Sequence, residues 1–595
     1  MPVQNQQSSS RAAGALGLRD VLADLMADGL LSQDDVNRIS GSHSNSERHP
    51  LLCIADEEPR NVKDPDKFLT LELLTSWLAE KAGLPHKRID PLRLDVEAIT
   101  SLVPFAYASR RKILPISVNQ DTVVIATCEP YISDWQDELG RVLRKKIVCV
   151  LANPADIDRY LAEFYTLSRS VRRATKDSGS SQLSVITNLE QLVELGRTGR
   201  LDADDHHIVN IVDWLLQYAF DQRASDIHLE PRRDKSDIRF RIDGVLHVVY
   251  QVPLAVLSAI ISRVKTLGRM DVAEKRRPQD GRLKTKTPAG NEVELRLSTI
   301  PTALGEKLVM RIFDPTVLAR GFKELGLSDD EGKHWEAMVK QPHGIILVTG
   351  PTGSGKTTTL YTTLKQLARP EVNVCTVEDP IEMIEPSFNQ MQVQHNIGLG
   401  FAQGVRSLLR QDPDIIMIGE IRDLETGEMA VQAALTGHLV LSTLHTNDAP
   451  SAMTRLLEIG IPAYLINAAI LGVMAQRLVR TLCPHCKQPG TLDDAAWEQL
   501  VRPWKATKPV SAFAPKGCSE CRNTGYLGRI GIYEMLTMSP GLRNLIQPDV
   551  DVAIVRDHAV KEGMQPLRLS GARKIHAGFT TIEEVAKAAP PPEGS

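Results

Sequence analysis

A glycine-rich turn between an apolar run and a helical segment constrains this chain more than any other feature. The run Gly344–Thr349 has the length and apolar character of a buried strand, and the segment Lys356–Leu367 is typical of a helix. The pattern G-x-x-x-x-G-K-T joins them and consists of Gly350, Pro351, Thr352, Gly353, Ser354, Gly355, Lys356 and Thr357. Strand, pattern and helix together predict a phosphate-binding P-loop and disfavour a chance turn, because backbone N–H groups at a helix N-terminus attract negative charge.

The residue types in this turn predict which part of a nucleotide each one meets. Glycines let the backbone approach phosphates closely, and Lys356 supplies a point charge for the β and γ phosphates. The Thr357 hydroxyl is the expected magnesium ligand, and we assign the next hydroxyl, that of Thr358, to the same nucleotide-binding segment. The expected ligands are therefore ATP and Mg²⁺.

Acidic and histidine residues lie at the ends of later strands. Strands alternate with helices over residues 372–442, which predicts a mainly parallel sheet with ligands at the carboxyl ends of its strands. Glu378 and Glu420 follow two of these strands, where carboxylates can hold a magnesium-bound water or orient an attacking water. The alternative is surface acids at strand ends. His438 and His445 flank the last strand, and either sensing of the γ-phosphate or a structural role fits them.

Four of the eight cysteines form two close pairs. Cys483 and Cys486 make one C-x-x-C motif, and Cys518 and Cys521 make another after 31 intervening residues. Four thiolates suit tetrahedral zinc, and a site whose four positions are all filled stabilises structure instead of catalysing. Buried free thiols are one alternative, and a zinc-binding nucleic-acid module is another.

Composition places the chain among soluble proteins with several domains. A length of 595 residues corresponds to roughly three to five domains. A net charge of -4 lacks the basic footprint of a nucleic-acid-binding protein. We see no apolar run of about eighteen residues and no signal-peptide core, so we expect a cytoplasmic protein.

Patterning along the chain predicts its division into domains. In the mixed α/β domain expected over residues 201–320, Asp243-Gly244 marks a hairpin turn, and Arg239 and Arg241 project from one face of the preceding strand. Those arginines fit either a solvated sheet face or a phosphate contact. The expected segments are 1–15 disordered, 16–168 a small N-terminal α/β domain ending in a helix over 154–165, 169–200 a linker, 201–320 a second mixed α/β domain, 321–480 the P-loop domain, 481–530 the tetracysteine subdomain, 531–587 a helical region and 588–595 a tail.

The order of the motifs resembles that of the ATPases of type II secretion and type IV pilus assembly, the general secretory pathway protein E family. The resemblance is strong over residues 205–581 and weak in the N-terminal domain. Besides the P-loop and the cysteine pairs, it is carried by ASDIHLEP at 224–231, PQDGR at 278–282, TVEDP at 376–380, LRQDPD at 409–414, GEIRD at 419–423, LTGH at 435–438 and STLHTN at 442–447. It implies an α/β fold with a RecA-like P-loop ATPase domain, two preceding α/β domains and a C-terminal zinc-binding subdomain.

The resemblance also implies roles for the singled-out residues. Glu378 would help to activate the attacking water, Glu420 would serve the magnesium site, and His438 and His445 would belong to a histidine box. Three arginines of the second domain would be brought to the nucleotide: Arg223, Arg239 and Arg241.

Family members form hexameric rings that hydrolyse ATP to assemble a pilus or pseudopilus at the inner membrane. The resemblance thus implies a homo-hexameric ATPase for type II secretion, or alternatively a type IV pilus extension motor, peripheral to the membrane through platform proteins that bind its N-terminal domain. Asp20-Val21-Leu22 stands where some members have a cyclic-dinucleotide-binding Arg-Leu-Gly, which favours docking to a membrane-anchored partner. A nucleic-acid translocase fits the charge poorly, and a scaffold that binds ATP without turnover is a further alternative.

Overall fold

The computed structural model describes residues 14–43, 48–90, 94–177, 206–287, 290–313, 321–518, 520–522, 524–589 and 591. The chain divides into two compact units, Met1–Ile312 and Phe313–Ser595. Most of the segment expected to be disordered, 1–15, lies outside the described residues. So do residues 178–200 of the expected linker and most of the expected tail.

Short helices and a two-stranded ladder form the N-terminal part of the first unit. Val21, Leu25 and Leu78 are among the fully or almost fully buried side chains that these helices share as a core. The helices are Leu18–Ala27, Gln33–Ser42, Pro50–Asp56 and Leu71–Ala82, and the ladder pairs β1 (Arg60–Asn61) with β2 (Asp64–Phe68).

A mixed sheet with covering helices follows in the same unit. Its strands are β3 (Ile113–Val118), β4 (Thr122–Thr127) and β5 (Lys146–Leu151), and its helices are Val96–Leu102, Phe105–Arg111, Asp134–Leu143 and Pro154–Asp177. The last helix runs to Asp177, so the start of the expected linker is helical. Its polar continuation lacks the apolar period by which we placed the helix end at 165.

The largest sheet of the first unit is antiparallel and has the strand order β8-β7-β6-β11-β10-β9. Asp243 and Gly244 join β7 to β8 with positive φ angles of 48° and 87°, which confirms the predicted hairpin turn. The strands are β6 (Asp226–Glu230), β7 (Ser236–Ile242), β8 (Val245–Val252), β9 (Gln279–Lys286), β10 (Glu292–Thr302) and β11 (Gly305–Phe313), accompanied by the helices His206–Asp221 and Leu254–Leu267.

The second unit is built on a sheet of order β14-β13-β15-β16-β12-β17-β20. All neighbouring pairs are parallel except β17 with β20, so the predicted mainly parallel sheet is confirmed. The strands are β12 (Gly344–Thr349), β13 (Val374–Glu378), β14 (Asn389–Gln392), β15 (Ile415–Ile418), β16 (Leu439–Leu444), β17 (Ile470–Leu482) and β20 (Tyr526–Thr537).

The end of this sheet differs from the expected segment boundaries. β17 crosses position 480, and β20 comes from the segments assigned to the tetracysteine subdomain and the helical region. The short pair β18 (Gln488–Gly490) and β19 (Ala512–Ala514) lies between them in sequence. The tetracysteine segment is therefore an insertion between two adjacent strands of the sheet. Sequence patterning missed this because antiparallel pairing across about 45 residues leaves no local signal.

Helices cover the sheet of the second unit on both faces. They are Phe322–Leu325, Asp329–Val339, Lys356–Leu367, Phe401–Leu408, Leu424–Leu435, Pro450–Ile459, Ala463–Ala469, Asp494–Val501, Pro540–Leu545, Val552–Lys561, Leu567–His576 and Ile582–Ala588, with a 3₁₀ turn at His395–Ile397. Two separate apolar clusters pack against the strands. In the part of the chain that the structure describes, no helix combines the length and the apolar character needed to cross a membrane.

Candidate active site and metal-binding cluster

The glycine-rich loop follows the carboxyl end of a completely buried strand, β12, and opens the helix Lys356–Leu367 as predicted. Gly350, Gly353 and Gly355 all have positive φ angles, of 147°, 80° and 87°. A Cβ atom on Gly350 would lie 2.5 Å from the backbone oxygen of Gln476 on β17. This close approach of two backbones explains the glycine, since a larger residue would push the loop away from the sheet.

Lys356 folds back over this loop. Its Nζ atom donates to the carbonyl oxygens of Gly350, at 2.7 Å, and Pro351, at 3.3 Å. Burial lowers the pKa of Lys356 to about 8; the Glu420 carboxylate opposes the shift and the Arg477 guanidinium adds to it. Phosphate oxygens are stronger acceptors than carbonyls for an ammonium group, so the side chain is placed to exchange these bonds for a nucleotide.

The hydroxyl groups that follow Lys356 differ in their surroundings. Within the described residues, the half-buried Thr357 and Thr358 side chains make no hydrogen bond, whereas the buried Thr359 hydroxyl donates to Gln476 Oε1 at 2.8 Å. Thr357 therefore retains a free oxygen beside the lysine, as a magnesium ligand requires. Thr359 instead attaches the helix to β17.

Glu420 lies just beyond the end of β15 and is 9% exposed. One of its oxygens, Oε1, pairs with Arg422, while Oε2 is buried without a hydrogen bond among the described residues. His445 Nε2 is 3.4 Å from Oε2. Burial and the charge of Lys356 lower the pKa of His445, which favours its neutral form at neutral pH. A buried, incompletely bonded carboxylate oxygen beside the P-loop lysine fits a site for a cation or its water ligands.

Glu378 ends β13 and is held by several donors. Its carboxylate accepts from the hydroxyls of Tyr361, at 2.7 Å, and Thr376, at 2.6 Å, and from the Gln390 amide at 3.3 Å. Burial raises the pKa of Glu378, and the two hydroxyl donors counteract part of that effect. The side chain is thereby fixed in one orientation, and its elevated pKa suits a group that accepts a proton.

The structure separates His438 from the other predicted site residues. His438 precedes the first residue of β16, and its Nδ1 donates to the Ala433 carbonyl at 2.8 Å. β12 and β16 are parallel, with Gly344 opposite Leu439, and the P-loop follows the other end of β12. At the usual strand rise, the five residues from Gly344 to Thr349 separate the two ends by about 17 Å. Within one chain His438 therefore cannot contact a nucleotide at the P-loop, and a catalytic role would require a second chain.

The predicted arginines lie in the first unit, where carboxylates already bind two of them. Arg239 Nη2 is 2.7 Å from Glu230, and Arg241 Nε is 3.6 Å from Asp226. Although burial opposes ionisation, hydrogen bonds from Arg239 and Lys307 hold the pKa of Glu230 at about 2. Arg223 is exposed. The arginines on β7 are thus not a simple solvated face.

The four paired cysteines converge as the spacing predicted. Their sulfur atoms all lie within 4.8 Å of one another, and the Sγ pairs Cys483–Cys518, Cys486–Cys521 and Cys518–Cys521 are each 3.7 Å apart. A tetrahedron with metal–sulfur bonds of about 2.3 Å has edges of about 3.8 Å. Cys521 Sγ also accepts backbone N–H bonds from Cys518 and Gly525. The geometry fits a four-thiolate metal centre.

Sequence reasoning missed residues that support the site from other elements. Arg422, the ion-pair partner of Glu420, lies inside the segment GEIRD at 419–423, but its pairing with Glu420 leaves no local signal in the sequence. Gln476 and Arg477 reach the P-loop from β17. Their only local cue was a polar pair that directly follows the apolar first half of the strand Ile470–Leu482.

Comparison with known proteins shows which family this chain matches. The family model described as "Type II/IV secretion system protein" matches residues 202–587, and the MshEN domain model matches residues 82–171. The chain is 53% identical over 573 residues to the type IV pilus assembly ATPase TfpB of Acinetobacter baylyi, covering 96% of this chain and 98% of that protein.

Other relatives are named either as type IV pilus assembly ATPases or as type II secretion proteins. The type IV pilus assembly ATPase PilB of Myxococcus xanthus is 40% identical over 86% of this chain and 90% of its own length. The type II secretion system protein E of Pseudomonas aeruginosa is 41% identical over 82% of this chain and 95% of its own length. With a P-loop, strand-end carboxylates and a family match over most of its length, this chain is an ATPase that belongs to the type II/IV secretion system protein family.

Proposed function

We propose that this chain is the motor ATPase that drives type IV pilus assembly. The observation that carries the proposal is its 53% identity to the Acinetobacter baylyi pilus assembly ATPase across almost the full length of both proteins. Identity to the type II secretion relative is lower, 41%, and extends over 82% of the chain. Assembly of a secretion pseudopilus, the function that we expected first from the sequence, remains the second candidate because of that relative.

We propose that hydrolysis depends on side chains from four strand ends, those of β12, β13, β15 and β16. Lys356 and the P-loop N–H groups bind the β and γ phosphates of ATP. Thr357 and Glu420 hold magnesium, directly or through water, and the ion neutralises phosphate charge when bound. Glu378 orients and deprotonates the attacking water, and His445 responds to the γ-phosphate through its contact with Glu420.

We further propose a homo-hexamer in which Arg223, Arg239 and Arg241 reach a nucleotide. Arg239 and Arg241 are already bound to the carboxylates of Glu230 and Asp226. When either arginine moves to a nucleotide, a phosphate therefore replaces the carboxylate as its partner. Such an exchange is reversed when hydrolysis removes the γ-phosphate, which links chemistry to domain movement.

The cysteine cluster and the N-terminal domain have separate roles in this proposal. Cys483, Cys486, Cys518 and Cys521 bind one zinc ion, which stabilises the insertion between β17 and β20. The N-terminal domain docks to platform proteins and thereby holds a cytoplasmic ATPase at the inner membrane. No nucleic acid takes part, in keeping with the net charge of -4.

Gene replacement in the source bacterium distinguishes the two candidate functions. Cells that carry only the Lys356→Ala chain are compared with cells that carry the wild-type chain, and surface pili and secreted enzymes are both measured. We expect pili to be lost and secretion to continue. Loss of secretion with normal piliation would replace the pilus proposal by the secretion one.

A matched variant tests the site assignment. Glu420→Gln keeps the shape of the side chain and its contact with Arg422 but removes the charge. We expect hydrolysis by the purified assembly to fall at least about a hundredfold while ADP binding without magnesium is retained. Unchanged hydrolysis would exclude Glu420 from the magnesium site.

A further inference from the structure

Arg477 on β17 is a buried cation, and within the part of the chain that the structure describes its hydrogen bonds all go to neutral oxygen atoms. The residue is 5% exposed. Its Nη2 donates to the backbone oxygen of Asn447 at 2.9 Å and to the side-chain oxygen of the same residue at 3.3 Å. Its Nε donates to the Ala588 carbonyl at 3.1 Å, and its Nη1 to the Gln476 carbonyl at 3.4 Å. The guanidinium is therefore well bonded but not neutralised.

Within the described residues, no carboxylate forms an ion pair with Arg477. The acids that act on its pKa from a longer distance are Asp448 and Glu534, and both have other partners. Asp448 binds Arg556 Nη2 at 2.7 Å. Glu534 accepts two backbone N–H bonds, and burial raises its pKa to about 7, so its negative charge is only partial near neutrality. Burial of a guanidinium without a counter-ion costs free energy, and an anion bound nearby would reduce that cost.

The position of Arg477 indicates where that anion binds. A Cβ atom on Gly350, the first P-loop glycine, would lie 3.0 Å from Arg477 Nη1. The Arg477 charge also reaches Lys356, where it favours loss of the ammonium proton. Two cations that repel each other across the base of the P-loop are both stabilised when a polyphosphate binds there.

Arg477 also connects the loop to two distant segments. Asn447 belongs to the segment after β16, and its neighbour Thr446 donates its backbone N–H to the Thr349 hydroxyl at 2.8 Å, directly before the P-loop. Ala588 is the last residue of the helix Ile582–Ala588. One side chain thus joins the P-loop base, the segment after β16 and the C-terminal helix.

We infer that Arg477 is a positioning residue of the nucleotide site, and that the phosphates of the bound nucleotide supply the counter-charge that its buried guanidinium lacks. Its charge strengthens nucleotide binding from beneath the loop, without contact with the substrate. Its bonds hold Asn447 and Ala588 in fixed positions relative to Gly350.

Binding of magnesium ADP to the full-length chain at two salt concentrations tests the charge. We expect Arg477→Met to raise the Kd at least about tenfold, equal to about 1.4 kcal/mol, and to weaken the salt dependence of binding. Arg477→Lys keeps the charge but cannot bond to three segments at once. The Kd of this variant for magnesium ADP should stay within about threefold of wild type, and its kcat for ATP hydrolysis should fall instead.

Arg480→Met is the matched control. Arg480 lies on the same strand and binds the same C-terminal helix, but it is neutralised by Glu584 at 2.6 Å. We expect this variant to lower the unfolding temperature and to leave the Kd within about twofold of wild type. Equal weakening of ADP binding by both variants would overturn the inference, because loosening of the helix would then explain it.

A second neutral variant covers the case in which Arg477→Met does not fold. Arg477→Gln keeps an amide donor for one of the carbonyl oxygens. The Kd of this variant for magnesium ADP and the salt dependence of its binding are measured in the same way. A neutral variant that binds ADP within about twofold of wild type, with unchanged salt dependence, would show that the Arg477 charge has no role in nucleotide binding.

Discussion

Nucleotide binding by this protein should take up a proton through Lys356, and the amount should depend on pH. The pKa of Lys356 without nucleotide is about 8, because burial of the ammonium group over the P-loop disfavours its charged form. Phosphate oxygens favour the charged form, so we expect a bound nucleotide to raise that pKa well above its value in the free protein. Between these two values the bound protein carries more protons than the free one, so binding draws protons from the solvent.

The size of the effect follows from the pKa of about 8. The fraction of free protein that lacks this proton is about 0.1 at pH 7, about 0.5 at pH 8 and about 0.9 at pH 9. We expect the proton uptake per ADP bound to follow those fractions. Since only the protonated lysine binds phosphate well, the apparent Kd should rise about tenfold from pH 7 to pH 9, which is about 1.4 kcal/mol.

Calorimetric titration with ADP in buffers of different ionisation enthalpy measures both quantities. The Lys356→Arg variant is the control, because a guanidinium stays protonated throughout this range and should show neither the uptake nor the rise in Kd. An uptake below about 0.2 proton at pH 9, or an identical pH profile in the arginine variant, would refute the argument that burial of Lys356 shifts its titration.

Three further predictions concern stability. Cys486→Ser should abolish stoichiometric zinc, measured by atomic emission, and lower the unfolding temperature, whereas zinc retained at one ion per chain would contradict the four-thiolate centre. Gly350→Ala should lower the unfolding temperature more than Gly353→Ala, because the first Cβ would be 2.5 Å from a carbonyl oxygen while the second meets no atom and costs only about 1–2 kcal/mol of left-handed strain. Lys265→Met should cost about 3–5 kcal/mol in denaturant unfolding by leaving buried Glu306 unpaired, and adding Glu306→Leu should recover part of that loss.

The P-loop region shows how far local patterning determines structure. The segments Gly344–Thr349, Lys356–Leu367, Ile415–Ile418 and Leu424–Leu435 form in the structure with the bounds that periodicity predicted. The turn at Asp243-Gly244 and the convergence of the two C-x-x-C motifs were also predicted correctly. In each of these cases the determining residues are close together in the sequence, or their chemistry requires one geometry.

Pairings between distant segments could not be predicted in this way. The antiparallel pairing of β17 with β20 spans the whole tetracysteine segment. The separation of His438 from the P-loop depends on which edge of the sheet each strand end reaches. The bonds of Arg477 to Asn447 and Ala588 join residues 30 and 111 positions away.

By itself, the sequence therefore predicted a nucleotide-binding P-loop at Gly350–Thr357 and identified side chains that are chemically able to act on a bound nucleotide. Only the tertiary structure decided which of them lie together, Glu420 with His445 beside Lys356, and which further residues support them, Tyr361 at Glu378 and Arg477 beneath the loop. The physical reason is that a motif specifies backbone conformation and chemistry over a few residues, whereas burial, pKa and charge compensation depend on segments that the fold brings together from distant positions.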